Sequence, residues 1–469
     1  MLYRPLKLVF FALLGILPAA LSAQTPPLPA TLPEDLLPGL RQILHAAMEQ
    51  SPQMVARNVE IAAQEANRYQ QVAPEWPSVS SGFGYIDYHS AVSVGKTFAS
   101  SSASSQGPIY NLILTQPIYH WGALQAAADI GHLNVKISER QYADGYRQLA
   151  ATIRSQYLSL IIQKVQMRNL RFALDQTKTS LGVVEARFKN GAATSSDETN
   201  AHMAVDDTSL ALDRTAEDFA HAKRLLQLTV GLTELSDDSV PEEIPKPVYS
   251  AAAPPTLLQD FERDGVHKTF QAQVYDYQIR ESELNYKIAK YRLFPRLDLG
   301  FSLSEQYQAQ GVSLTNGQAG ITEKQYFYND VTLSASWNIF DGFATRGAKL
   351  AALASKRANE RNLQTYLDQT LEQARYMGRQ VEFSARALAL TEERFGFAVG
   401  NLQRVKDNLK LGVGSQGDVD QATANFYQWQ AIAFSARIDF FSRWSDYLSL
   451  LNIDPVLNNI PAYFNSNAK

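Results

Sequence analysis

The sequence has no cysteine. Disulfides, thiolate nucleophiles and cysteine-ligated metals are therefore excluded, as is a lipid joined to an N-terminal cysteine. It has no excess of positive charge either, since 43 Lys and Arg stand against 47 Asp and Glu for a formal net charge of −4. Neither a basic surface for nucleic acid nor an acidic tail is present. Beyond the N-terminus no apolar run approaches the roughly twenty residues of a membrane helix, so any crossing of a bilayer must use strands. The seven histidines, at 45, 89, 120, 132, 202, 221 and 267, form no HExxH and no pair at metal-ligand spacing. There is no GxxxxGK followed by Ser or Thr, and no GxSxG. Gly412 to Gly417 fits GxGxxG, but it follows a predicted helix rather than a strand. No catalytic, metal or cofactor constellation emerges, so the chain does not read as an enzyme.

With 45% hydrophobic and 19% charged residues among 469, the chain is too apolar to be disordered and long enough for several domains or one repeated architecture. Residues 1–23 read as a cleavable signal peptide: Arg4 and Lys7, an apolar run from Leu8 to Leu17, then small residues before Gln24. The other reading, a retained anchor, is cut short by Pro18. Proline is also missing between Pro117 and Pro241 and between Pro295 and Pro455. An interior proline breaks a helix, so both stretches predict long uninterrupted helices.

The two stretches superpose at a constant shift of 221 from Ile118 to Ala201. Identities include Ile118/Ile339, Ala127/Ala348, Arg140/Arg361, Arg154/Arg375, Gly191/Gly412 and Asp197/Asp418. Upstream, Trp76-Pro77 matches Phe294-Pro295 at a shift of 218. The chain reads as an internal duplication. The first repeat, 24–235, holds a first helix (about Leu40 to Ala73, broken near Pro52), a strand hairpin over 78–118, a long helix over 122–188 and a helix over 195–231. A Pro-rich linker or equatorial element follows over 236–255. The second repeat, 256–454, holds a helix from about Thr256 to Leu293, a hairpin over 296–340, a long helix over 343–409 and a helix over 415–452. Residues 455–469 read as a tail.

The hairpins carry period-two patterning. Leu297, Leu299, Phe301 and Leu303 alternate with Asp298, Gly300, Ser302 and Ser304, while Val331, Leu333, Ala335 and Trp337 alternate with Thr332, Ser334 and Ser336. A segment of roughly ten residues suffices for a tilted membrane strand, and the small polar face suits a water-filled lumen. A soluble hairpin uses the same pattern. The aromatics Tyr119, Trp121, Trp337 and Phe340 at the strand ends favour the membrane reading, because such rings suit the two interfaces. Stretches 91–107 and 307–325, rich in Ser, Gly, Ala and Thr, read as loops in water.

Residues 122–188 would span about 100 Å as one helix, which needs partners along its whole length, as in a coiled coil or helical barrel. The last helix shows two apolar seams, through Phe426, Ala433, Phe440 and Tyr447 and through Phe434, Ile438, Phe441 and Leu448, and so expects a neighbour on each side. The helix-to-helix turns are polar, with Gly191 and Gly412 placed to end one helix and Ser195, Ser196, Asp197 and Asp418 placed to cap the next. If several hairpins converge at the narrow end of a tube, Asp197 and Asp418 also set carboxylates around its mouth. Capping and gating are compatible.

The order of elements, the duplication and the turns resemble the TolC-like outer-membrane factor family, the exit ducts of efflux pumps and type I secretion systems. The resemblance covers nearly all of the mature chain. It is carried most specifically by Ile118-Tyr119, by Ile339-Phe340-Asp341-Gly342, and by Arg187-Phe188 with Gly191 and Asp197, echoed from Leu409 to Ala422. It implies a fold that is mostly α with a β-barrel part. Three copies would build one 12-stranded outer-membrane barrel, continued by a long periplasmic α-helical barrel. It also implies a passive duct in the outer membrane of a Gram-negative bacterium, in contact with its lipid, a periplasmic adaptor and an inner-membrane transporter, with no cofactor and no nucleic acid. On this resemblance Asp418 matches an aspartate of the entrance ring, and Gln421 stands one helical turn later, where the family often has a second aspartate; Asp197 and Asn200, their first-copy counterparts, are the further candidates for the entrance. Arg187, Phe188, Gly191, Gly412, Gly414 and Ser415 belong to the tips that meet partners; Gly414 stands where some members have arginine. The alternative is a periplasmic or secreted coiled-coil scaffold without channel activity.

Overall fold

A computed structural model describes residues 31–94, 99–313 and 319–460; the expected signal peptide lies outside them. Three helices open the chain, α1 (Pro33–Leu36), α2 (Pro38–Gln50) and α3 (Pro52–Val72), each with proline in its first turn, where no N–H is needed. Strands β1 (Ser78–Val94) and β2 (Ala99–Tyr119) lead into α4 (Ala123–Lys189) and α5 (Ser195–Val230). After a strap over 236–252 come α6 (Ala253–Asp260), α7 (Phe270–Tyr291), β3 (Arg296–Ser313), β4 (Ala319–Ser336), α8 (Ala344–Lys410) and α9 (Gln416–Leu450). Both α4 and α8 have 67 residues, about 100 Å at 1.5 Å per residue.

The four strands form one antiparallel sheet in the order β1-β2-β3-β4. Its register sorts the side chains into two faces. Phe83 lies opposite Tyr110, Leu112 opposite Leu303, Phe301 opposite Val331 and Leu299 opposite Leu333 on one face; Gly300 opposite Thr332 and Ser302 opposite Asp330 lie on the other. The apolar face is uncovered: Phe83, Val331 and Leu333 are about 70% exposed. The outer edges of β1 and β4 have no neighbour among the described residues.

At 17 to 21 residues, the strands exceed the roughly 9–11 needed to cross a bilayer. The expectation of loops at 91–107 and 307–325 is corrected accordingly: backbone pairing continues to Val94 and Ala99 in one hairpin and to Ser313 and Ala319 in the other. Residues 95–98 and 314–318 lie outside the described ones. At its other end the second hairpin is shorter than expected, since β4 stops at Ser336 rather than at 340.

The single helix expected over Thr256 to Leu293 is also corrected. After α6 the chain takes a π-helical turn (Phe261–Gly265) and a 3-10 turn (Val266–Lys268), and Thr269 is extended before α7 starts. Thr269 is the counterpart of Ser51 at the shift of 218, and both have φ near −60°, with ψ of 146° and 130°. In the first copy Pro52 marks the break. In the second Phe270 occupies that place, and burial of Phe261, Val266 and Phe270 in the core accompanies the bend without a proline.

Near the sheet, α4 runs between α3 and α7, with α8 beyond α7; further down, α4 runs between α5 and α9. The core lies midway, where α2 and α3 (Leu40, Leu44, Met54), α4 (Tyr146, Leu149, Ile153, Tyr157) and α9 (Phe440, Phe441, Trp444, Tyr447) pack under the strap residues Val240 and Ile244. The strap is tied by its backbone: Tyr157 Oη donates to Ser239 O at 2.8 Å and Lys164 Nζ to Val240 O at 2.7 Å. The supposed tail enters this core. Asp454 is buried and pairs, with Glu34, to the buried Arg154, and residues Pro455–Asn459 form a 3-10 turn.

Candidate functional site

The strand-to-helix junction is built from two consecutive left-handed residues in each copy, Trp121-Gly122 (φ 58° and 76°) and Gly342-Phe343 (φ 62° and 68°). A left-handed conformation is rare for residues other than glycine. Each copy therefore puts glycine in one of the two positions, and a different one. The aromatic at the other position is held by packing. Trp121 is half-buried, meets Tyr119 and Phe294 edge-on at 4.9 and 5.0 Å, and donates its Nε1–H to Pro295 O at 2.7 Å. Phe343 meets Phe340 edge-on at 5.5 Å. Trp337 donates its Nε1–H to Leu293 O at 2.9 Å. Tryptophans from both copies thus fasten the same turn between α7 and β3.

Of the four aromatics expected at the membrane interface, Tyr119, Trp337 and Phe340 are exposed, and Trp121 is folded into the turn. Two neighbours carry local roles that the sequence reading did not assign. Asp341 Oδ2 caps α8, accepting from Thr345 N–H at 2.8 Å and Thr345 Oγ1–H at 2.6 Å. Its pKa is lowered by the bond from the Thr345 hydroxyl first, with help from the Thr345 amide and the Arg292 charge. His120, the first-copy counterpart, hydrogen-bonds Asp298 through Nε2 at 2.8 Å. A carboxylate followed four residues later by threonine at a helix start was the available signal for Asp341.

At the far end of the helices the two tips share one geometry. Gly191 and Gly412 are left-handed, with φ of 72° and 76°. Gly191 N–H donates to Phe188 O and Ala192 N–H to Arg187 O, while Gly412 N–H donates to Leu409 O and Val413 N–H to Asn408 O. This paired bonding is the Schellman closure of α4 and α8. The next helices start with capping boxes. Thr194 Oγ1 accepts from Asp197 N–H at 3.2 Å while Asp197 Oδ2 accepts from Thr194 N–H at 2.8 Å; Ser415 and Asp418 repeat this at 3.2 and 2.9 Å. The cap expected at Ser195 or Ser196 is therefore corrected to Thr194, because those serines already belong to α5.

Asp197 and Asp418 are exposed, and both carboxyls lie below the ordinary aspartate range. The backbone and hydroxyl bonds from Thr194 do this for Asp197; the hydroxyl and backbone bonds from Ser415 do it for Asp418. One oxygen of each carboxylate is engaged and the charge is kept. Asn200 and Gln421 are exposed one turn on, as are Arg187, Phe188 and Ser415, while Gly414 is half-buried. Leu411 and Val413 stand 76% and 80% exposed, at positions where the first copy has Asn190 and Ala192. Among the described residues no group of three or more His, Asp or Glu is placed to hold a metal ion, and no helix is long and apolar enough to cross a membrane.

A family model described as outer membrane efflux protein matches residues 43–232 and 272–439, about three quarters of the chain. No curated protein matches the sequence. Three solved channels share the architecture at low identity. The Campylobacter jejuni CmeC outer membrane channel is 13% identical with a TM-score of 0.63, over 91% of this chain and 90% of that one. The outer membrane protein VceC from Vibrio cholerae is 15% identical with a TM-score of 0.57, over 88% and 95%. The open state of the Neisseria gonorrhoeae MtrE outer membrane channel is 13% identical with a TM-score of 0.57, over 88% and 89%. The match over both repeats, joined to this shared architecture, places the chain in the outer membrane efflux protein family.

Proposed function

We propose that this outer-membrane efflux protein works as a passive duct of three copies, which takes cargo from an inner-membrane transporter, through a periplasmic adaptor, to the outside of a Gram-negative cell. The observation that carries this reading is the sheet. One copy presents a four-stranded sheet with an uncovered apolar face and two edges that have no neighbour among the described residues. Free edges are not tolerated in hydrocarbon, so the strands must close by pairing with further copies. Three copies give twelve strands, the apolar face turns to lipid and the polar face to the lumen. A soluble coiled-coil scaffold leaves that apolar face unexplained.

On this reading α4 and α8 continue the barrel into the periplasm. Their tips form the entrance, where Asp197 and Asp418 make the mouth cation-favouring, with Gln421 and Asn200 just inside. Arg187, Phe188, Gly191, Gly412, Gly414 and Ser415 shape the surface offered to partners. Planar-bilayer recording tests the duct: channels blocked by multivalent cations are expected, and absence of conductance refutes it. Asp418→Ala should weaken that block; an unchanged block removes Asp418 from the entrance.

A further inference from the structure

A cavity of about 830 Å³ lies just below the sheet, between α4, α7 and α8. Its floor is apolar, with Ala127 of α4, Ile288 of α7 and Ala352 of α8, and its rim carries His120, Arg292 and Arg296. Arg296 begins the side of β3 that carries Asp298, Gly300 and Ser302, the polar face of the sheet. On the duct reading that side is the lumen.

Arg292 and Arg296 make no ion pair among the described residues, unlike Arg280 and Lys356 nearby, which both pair with Glu283. Two acids beside the rim have hydrogen-bond partners of their own. Asp298 takes the hydrogen bond of His120, and Asp341, within electrostatic reach of Arg292, accepts both bonds of Thr345. A guanidinium presents a planar fork of donors that matches a carboxylate, sulfonate or phosphate. An apolar floor under such a fork has the make-up of a binding site in which a few polar groups fix orientation.

We propose that this cavity is a station for amphipathic organic anions moving through the duct: the alanine-lined floor takes the apolar body, and Arg292 and Arg296 hold the anionic group. The proposal rests on the duct reading, and three copies then set six guanidiniums around one axis. The station lies at the opposite end of the long helices from the acidic mouth, so anions and multivalent cations act at separate places.

The test is current block in planar bilayers by naphthalene-2-sulfonate, with uncharged 2-naphthol as control. The wild-type protein should be blocked by the sulfonate and not by the naphthol. In Arg292→Ala/Arg296→Ala the half-blocking concentration should rise about tenfold or more, the worth of one lost charge-assisted hydrogen bond. Arg292→Lys/Arg296→Lys should retain most of the block, and block by multivalent cations should be the same in all three proteins. Should the double alanine form fail to conduct, Arg292→Gln and Arg296→Gln singly provide the same comparison. Conducting wild-type channels that ignore the sulfonate, or equal block after removal of the arginines, overturn the station and leave the duct standing. Absence of conductance overturns both.

Discussion

Arg154 and Arg375 are the same residue of the duplication in two environments, and replacing each by alanine should have unequal effects. Arg154 is 3% exposed in its side chain. It donates from Nε and Nη2 to Glu34 and from Nη1 and Nη2 to Asp454. Burial alone would lower its pKa, but the bonds and charges of Asp454 and Glu34 outweigh that and hold it charged. Arg154→Ala leaves two carboxylates facing each other without a cation, one of them fully enclosed, which costs about 3–5 kcal/mol. The lower figure corresponds to more than a hundredfold in an opening equilibrium. Arg375 pairs with Glu262 and Glu372 in solvent contact, so Arg375→Ala should change the same readout by less than about fivefold. The assay is amide hydrogen exchange on the purified protein, read at Leu37 and Leu457, whose N–H groups bond to Pro33 O and Asp454 O. Replacing the whole cluster, as Glu34→Leu, Arg154→Met and Asp454→Asn, should recover much of the loss, because the penalty comes from unpaired charge and not from missing attraction. Equal effects of the two arginines, or no acceleration at Leu37 and Leu457 in Arg154→Ala, would refute the reasoning.

At the sheet, Val331→Lys on the uncovered apolar face should cost about 2–4 kcal/mol if it lies near the bilayer middle. Thr332→Lys on the other face should be tolerated, and heat resistance of the assembled protein on gels checks both. At the tips, Ser415→Ala should speed amide exchange around Asp418 while keeping the cation block, whereas Asp418→Asn should reduce the block; loss of block in Ser415→Ala would show that position rather than charge controls the mouth. The lowered pKa values of Asp197 and Asp418 mean that their capping contribution is full above the ordinary aspartate value of 3.8 and fades as pH falls through the lowered ones. Exchange at both tips should therefore accelerate only in that acid window. Gly231 ends α5 at φ 86°, and a Cβ there would sit 2.1 Å from Gln50 O. Gly231→Ala should cost about 1–3 kcal/mol, visible as a lower melting temperature.

What the sequence disclosed and what it hid follow from the same physics. The long helices were legible because proline is absent, and the hairpins were legible where one face is apolar. The run Ser100 to Ser105 and Ser313 carry no alternation in the sequence, although their backbone pairs. The break at Thr269 was hidden because long-range packing accompanies it there, where Pro52 announces its counterpart. Arg154 and Arg375 appeared only as an identity of the duplication. That one ties the opening helix and the segment after α9 into the core and the other lies at the surface depends on Glu34 and Asp454, 120 and 300 residues away.

The junction shows how a duplicated chain diverges without losing its geometry. Two left-handed residues are required to turn a strand into a helix at this place, and the backbone asks for them in both copies. Glycine satisfies one position for free, so only the other exerts a demand on its neighbours. In the first copy that position is Trp121, which packs inward against Phe294 and bonds Pro295 O; in the second it is Phe343, which leans outward on Phe340. Exchanging the order, as Trp121→Gly with Gly122→Phe, would keep both backbone angles satisfied but remove the indole from the α7–β3 turn. The physical expectation is a helix that still starts at Ala123 on a loosened turn, beside the two arginines of the cavity. The junction is thus constrained twice, once by dihedral angles that either copy can meet and once by Trp121, whose indole fastens the first copy to the α7–β3 turn of the second.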